Sequence, residues 1–168
     1  MPDQPSVVGR TTLAGPSMDH FESVVLEYLR ADRALFVNSQ CCIQLNPGAN
    51  PDTSGPHWYC DAVAVSLRDQ QAFLCEITYA NPPNSLFKRL TGWDADWSLL
   101  RTALERDSGV PVSWTLTPWI FVPEHLAPRV EKFIASLSLQ AMPKPRITHL
   151  EQVMPWRYRS WDRNSMEH

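Results

Sequence analysis

No stretch of this 168-residue chain approaches the roughly 18 consecutive apolar residues that a membrane span requires. The first 17 residues, MPDQPSVVGRTTLAGPS, lack the apolar core of a signal peptide, so export is not expected and a cytoplasmic location is. An excess of positive charge is absent too. Fifteen Lys and Arg stand against 18 Asp and Glu, and the net charge of −3 gives no overall attraction to nucleic acid or anionic lipid. A polyanion would have to meet a local basic patch. The four cysteines, Cys41, Cys42, Cys60 and Cys75, contain no C-x-x-C spacing. In a reducing compartment they are expected to remain thiols and to act as small core residues on strands. A zinc site drawing on Cys60, Cys75 and His57 is the alternative. Internal repeats and any sign of a second domain are also missing.

What is present is an ordinary globular composition, 43% hydrophobic and 20% charged, in a chain long enough for one sizeable core. Seven tryptophans and fifteen prolines point to a well-packed, loop-rich domain. Residues 1–17 are rich in Pro, Gly, Ser and Thr and read as a flexible arm. Phe21, Val24, Val25, Tyr28 and Leu29 recur at helical spacing, which predicts an amphipathic helix over 18–31. The β formers of 34–45 predict a strand, followed by a Pro/Gly/Asn loop over 46–56. Two short apolar strands are predicted at 59–67 and 72–79, apolar on both faces and therefore covered on both. Val63, Val65 and Leu74 form one face, and Ala62, Ala64, Phe73 and Ile77 form the other. A long helix follows, capped by Asn84 or Ser85, striped by Leu86, Leu90, Trp93, Trp97, Leu100 and Leu104, and ended by Gly109. A strand over 112–122, a helix over 125–139 and a short strand over 146–153 complete a single domain spanning 18–155. Residues 156–168 form an aromatic and basic tail.

Asp61 and Glu76 are the chemically telling residues. The turn Arg68-Asp69-Gln70-Gln71 joins their strands. A tight hairpin centred between Arg68 and Asp69 sets Val65 opposite Ala72, Val63 opposite Leu74, and Asp61 opposite Glu76. Partners of that kind have Cβ atoms roughly 4.5–5.5 Å apart on one face. Two carboxylates so close in an apolar sheet need a proton or a cation between them.

The order helix, three strands, helix, strand, with an Asp in Tyr-Cys-Asp-Ala-Val-Ala-Val and a Glu in Phe-Leu-Cys-Glu-Ile-Thr, resembles the PD-(D/E)xK superfamily. These are restriction-endonuclease-like phosphodiesterases. The resemblance covers roughly residues 19–122. It implies an α/β fold with a restriction-endonuclease-like core, a mixed central sheet flanked by helices. It also implies metal-dependent phosphodiester hydrolysis of nucleic acid, with DNA as the first substrate to consider. Asp61, Glu76 and the backbone carbonyl of Ile77 would hold Mg²⁺ or Mn²⁺ through oxygen ligands. Glu22, in Asp-His-Phe-Glu-Ser-Val-Val, matches the accessory acid of the first helix. Where the family carries a Lys, two residues after the Glu, this chain has Thr78, which can bond water but carries no charge. Lys88 or Arg89 of the next helix could supply the missing cation. Lys88 lies about 200° around the helix from Leu86, opposite the apolar stripe, whereas Arg89 flanks the stripe. Arg89 stays protonated and would clamp a phosphate rather than act as a base.

Simpler roles stand beside each of these. Asp61 could bond loop amides or His57, and Glu76 could pair with Lys88 or Arg89. Glu22 could be a solvated helix residue, as Glu27 is expected to be. His57 could guide a phosphate or merely line a polar edge. Trp93, Trp97, Trp114 and Trp119 are expected in the core. The tail Trp156-Arg157-Tyr158-Arg159-Ser160-Trp161 suits stacking on bases and contacting phosphates, and equally suits covering the domain's own core. Exposed tryptophans would also give a homodimer its contact. The rival to an enzyme is an inactive descendant of the same fold that binds a nucleic acid or a protein partner.

Overall fold

The structure is a computed structural model that describes residues 20–46 and 55–154. The arm at 1–17, most of the loop at 46–56 and the tail at 156–168 lie outside the described residues. In chain order the elements are α1 (His20–Arg30), β1 (Leu35–Gln44), β2 (His57–Ser66), β3 (Gln71–Ile77), α2 (Asn84–Ser108), β4 (Thr115–Val122), α3 (Ala127–Ser136) and β5 (Arg146–His149). Short 3₁₀ turns occupy Glu124–Leu126 and Leu150–Gln152.

The five strands form one open mixed sheet in the order β1-β2-β3-β4-β5. The pairs β1/β2 and β2/β3 are antiparallel, while β3/β4 and β4/β5 are parallel. Each parallel step needs a crossover, and α2 and α3 provide the two. Both helices pack on one face of the sheet, over Val63, Leu74, Ile120 and Val122. The other face is closed by α1, through Val25, Leu26, Tyr28 and Leu29 against Ala62, Ala64, Phe73, Trp119 and Phe121. The central strands are apolar on both faces because both faces are covered. Fully buried side chains the size of Trp93, Trp119 and Phe121 each stabilise the fold by roughly 1.5–3 kcal/mol through removal of apolar surface from water. Among the described residues no helix is long and apolar enough to cross a membrane.

The hairpin has the register expected from its turn. Val65 pairs with Ala72 and Val63 with Leu74, and the ladder closes at Ala62 and Cys75. The turn is held by the Ser66 hydroxyl, which donates to Asp69 Oδ2 at 2.8 Å and accepts from the Asp69 amide.

Several boundaries differ from expectation, each for a local reason. No side chain caps α2: Pro83 occupies the position ahead of Asn84 and Ser85, and neither of these makes a capping hydrogen bond. Its C-terminus is as expected, with Gly109 at φ 73°, a left-handed conformation that favours glycine, and its amide bonded to Glu105 O. β4 begins at Thr115 rather than 112, because Trp114 N turns back onto Pro111 O and Arg101 of α2 holds the carbonyls of Val112 and Trp114. The last strand stops at His149, and the chain then turns to bury Leu150 and Val153. The third helix opens with a 3₁₀ turn after Pro123 and ends at Ser136, short of 139.

One contact fixes α2 against the hairpin. At Gly92 a Cβ would overlap the Trp58 indole, so only glycine allows this approach. One turn further on, Asp96 Oδ2 accepts from Trp58 Nε1 at 2.8 Å. Together they anchor α2 on the start of β2, and Arg89, on the same helix, reaches β3.

Candidate functional site

Asp61 owes its placement to a reversal in the sheet. Along β1, Leu35 and Val37 pack with the α1-side core, whereas Cys41 and Ile43 pack with the α2-side core. All four would share a face in an uninterrupted strand. The same switch occurs in β2, where Cys60 joins the α2 side but Ala62 and Ala64 join the α1 side. The two switches coincide. Ser39 pairs with Ala62 and Cys41 with Cys60, and between them Gln40 has φ 53° and drops out of the ladder across from Asp61. On its other side β2 stops pairing with β3 after Ala62 and Cys75. Asp61 therefore sits where two ladders lapse, and its carboxylate continues the second one by accepting the Ile77 amide at 2.6 Å. No residue type in the sequence announces this reversal. Gln40 is not a residue that favours positive φ.

Glu76 lies one position beyond the last hairpin pair, so the expected ladder pairing of Asp61 with Glu76 is not formed; on its other side Glu76 pairs with Ile120 of β4, as the rest of β3 pairs with that strand. It is 4% exposed, one of three buried polar or charged residues among the described ones. One carboxylate oxygen, Oε2, is ion-paired with Arg89 Nη1 from the second turn of α2. The other, Oε1, is buried with no hydrogen-bond partner. Burial, and then the charge of Asp61, push the Glu76 carboxyl up to about 8, although Arg89 pulls the other way. The backbone of Asp61 also pulls it down, yet burial prevails. The only other buried side-chain atom without a partner among the described residues is Trp93 Nε1, one helical turn beyond Arg89.

The remaining candidates are distributed as follows. Thr78 follows the end of β3, half-buried, with its amide on Phe121 O at 3.0 Å and its hydroxyl oxygen accepting from Ala80 N at 3.2 Å. Lys88 is exposed, and no ion pair or hydrogen bond joins it to Glu76 among the described residues. Glu22 is half-buried in the first turn of α1, the helix on the opposite face from Arg89. That turn reaches the end of the sheet where β3 stops, because Phe21 packs on Tyr79 with ring centroids 5.0 Å apart. Glu27 is exposed and pairs with Arg30. His57 Nδ1 lies 2.8 Å from Gly55 O, which puts the proton on that nitrogen. Trp93, Trp97 and Trp119 are buried, whereas Trp114 is half-buried.

The thiols are not gathered for zinc. Cys60 belongs to the α2-side core and Cys75 to the α1-side core. Cys60 faces Cys41 across β1 and β2; their hydrogen bond lowers Cys41 and raises Cys60 from the usual thiol range. Among the described residues no group of three or more His, Cys, Asp and Glu is placed to hold a metal. The oxygen site consists of two carboxylates and backbone.

Comparison with family models, with curated proteins and with solved structures returned no match.

Chemically, the Asp61–Glu76 site offers hard oxygen donors, one of them a deeply buried carboxyl oxygen without a hydrogen-bond partner. The orphaned Glu76 Oε1, the Asp61 carboxylate beside it and the backbone of Ile77 suit a small divalent cation that prefers oxygen. The donors present thus fit Mg²⁺ or Mn²⁺. Two features suit a purely structural role as well: the Arg89 ion pair and the Asp61 bond to a backbone amide.

Proposed function

We propose that this chain is a divergent restriction-endonuclease-like domain that hydrolyses phosphodiester bonds of nucleic acid, DNA first among them, with Mg²⁺ or Mn²⁺. The observation that carries this reading is the buried Glu76 carboxylate with an unpartnered oxygen beside Asp61. Supporting it are the strand order, with three strands ahead of a long helix and a parallel return, and the fork where Asp61 takes over the pairing of Ile77. Asp61, Glu76 and the Ile77 carbonyl would hold the ion, which when bound polarises a phosphate and lowers the pKa of a coordinated water. Asp61 is oriented for this by the Ile77 amide, and Glu76 is kept in place by burial and by Arg89. Thr78, just past β3, would hydrogen-bond the attacking water without lending it charge. Arg89 or Lys88 would neutralise the phosphate, and Glu22 would assist from the first helix.

A second reading is favoured by Thr78 and by the Arg89 ion pair: an inactive nuclease-like domain that binds a nucleic acid or protein partner. The two separate in one assay. The purified chain is incubated with single- and double-stranded DNA in EDTA, Mg²⁺, Mn²⁺ or Zn²⁺. The enzyme reading expects cleavage in Mg²⁺ or Mn²⁺ and none in EDTA. Binding of DNA without cleavage in every metal would assign the chain to the second reading.

A further inference from the structure

Arg89 already neutralises the carboxylate that a metal would use. Its guanidinium is ion-paired with Glu76 Oε2, Oε1 of the same carboxylate is left without a partner, and the Glu76 side chain is only 5% exposed. The arginine is not locked there. Its side chain is 28% exposed. No hydrogen bond other than that to Glu76 is made by its remaining N–H groups among the described residues. Its long aliphatic stem allows the head to swing while α2 stays fixed by the contact of Gly92 with Trp58. Lys88, its exposed neighbour, makes no bond to Glu76.

Resting on the metal-site reading above, we infer that Arg89 is an exchangeable counter-ion: it neutralises Glu76 while the metal is absent, and on metal binding it is released to clamp the substrate phosphate. Two cations cannot share one carboxylate without repulsion, so arrival of a divalent ion weakens the Arg89 pair. The freed guanidinium is a planar fork with a permanent charge, matched to two phosphate oxygens. Metal and phosphate then favour one another, because each takes one partner of the resting pair, and the coupling is reciprocal. No covalent step is involved. The family's lysine is replaced in this scheme by a cation that is delivered only when the site is loaded.

The test is Mn²⁺ binding to the full chain, followed by electron paramagnetic resonance, for wild type, Arg89→Gln and Arg89→Lys. It is run with and without a non-cleavable phosphorothioate oligonucleotide. Without DNA, Arg89→Gln is expected to bind Mn²⁺ about tenfold more tightly than wild type, within the usual range of coupling between two sites. Arg89→Lys, which retains a competing charge, is expected to stay near wild type. DNA should tighten Mn²⁺ binding in wild type and do so far less in Arg89→Gln. As a readout on the unaltered chain, Mg²⁺ titration should shift the Arg89 Nε–H resonance as the pair opens. Equal or weaker Mn²⁺ binding by Arg89→Gln, or an unmoved Arg89 resonance at Mg²⁺ saturation, overturns the exchange but leaves the metal site standing. Failure of all three proteins to bind Mn²⁺ overturns the metal site, and the exchange with it.

Discussion

Asp61→Asn and Glu76→Gln are each expected to abolish Mg²⁺-dependent DNA cleavage. Both substitutions preserve shape. The side-chain oxygen of an asparagine at position 61 can still accept the Ile77 amide, and a glutamine at position 76 can still accept from Arg89, so the packing around β2 and β3 is kept. What each removes is a negative charge from a site with only two carboxylates. Groups that merely orient a metal's ligands are worth roughly 10–100-fold in affinity or activity, so loss of a ligand charge is expected to exceed about a hundredfold. Initial rates at saturating Mg²⁺, with circular dichroism as a check on folding, measure the effect. Activity that persists in both variants would place the chemistry elsewhere in the chain.

Glu76→Gln is also expected to stabilise the fold near pH 8. The Glu76 carboxyl is raised from 4.5 to about 8 in the folded chain, chiefly by burial and next by Asp61. A raised pKa means that the folded state holds its proton where the unfolded chain has released it. The contribution of this group to stability is therefore whole below about pH 4.5 and is lost progressively as pH rises to about 8. At one pKa unit per 1.4 kcal/mol, the loss is on the order of a few kcal/mol. A glutamine does not ionise, so the variant should lack this decline, and its advantage should be largest at and above pH 8. Urea denaturation from pH 4.5 to 9 checks it, and parallel curves for the two proteins would contradict it. A substitution that strengthens the fold while removing activity is the mark of a group kept for function rather than packing.

Much of this site is legible in the sequence. The polar turn at 68–71 between two apolar runs dictates which residues of β2 meet which of β3, and those pairs recur in the structure up to Ala62 and Cys75. The two apolar faces at Val63 and Leu74 and at Ala62 and Phe73 are likewise found in the two separate cores. The long helical stripe places α2, and the flank position of Arg89 anticipates that it, rather than Lys88, turns inward. The reversal at Gln40 and Asp61 is not legible, since it depends on how two ladders terminate together and not on residue type. For the same reason the sequence does not foretell the bond between Asp61 and the Ile77 amide. Glu76 is legible as a partner for Arg89, but its orphaned oxygen is not, because burial of a single atom depends on the tertiary packing around it. The end of β5 is overrun for a related cause: apolar residues continue past His149, but they are buried by a 3₁₀ turn and not by a strand.

The most direct measurement is a crystal structure of the chain grown with Mn²⁺ and phased on the metal's anomalous signal. One ion is expected, with oxygens of both Asp61 and Glu76 within roughly 2.0–2.6 Å of it and Arg89 moved away from Glu76. Crystals saturated with Mn²⁺ that keep the Arg89–Glu76 pair closed and show no ion between Asp61 and Glu76 would contradict the metal site.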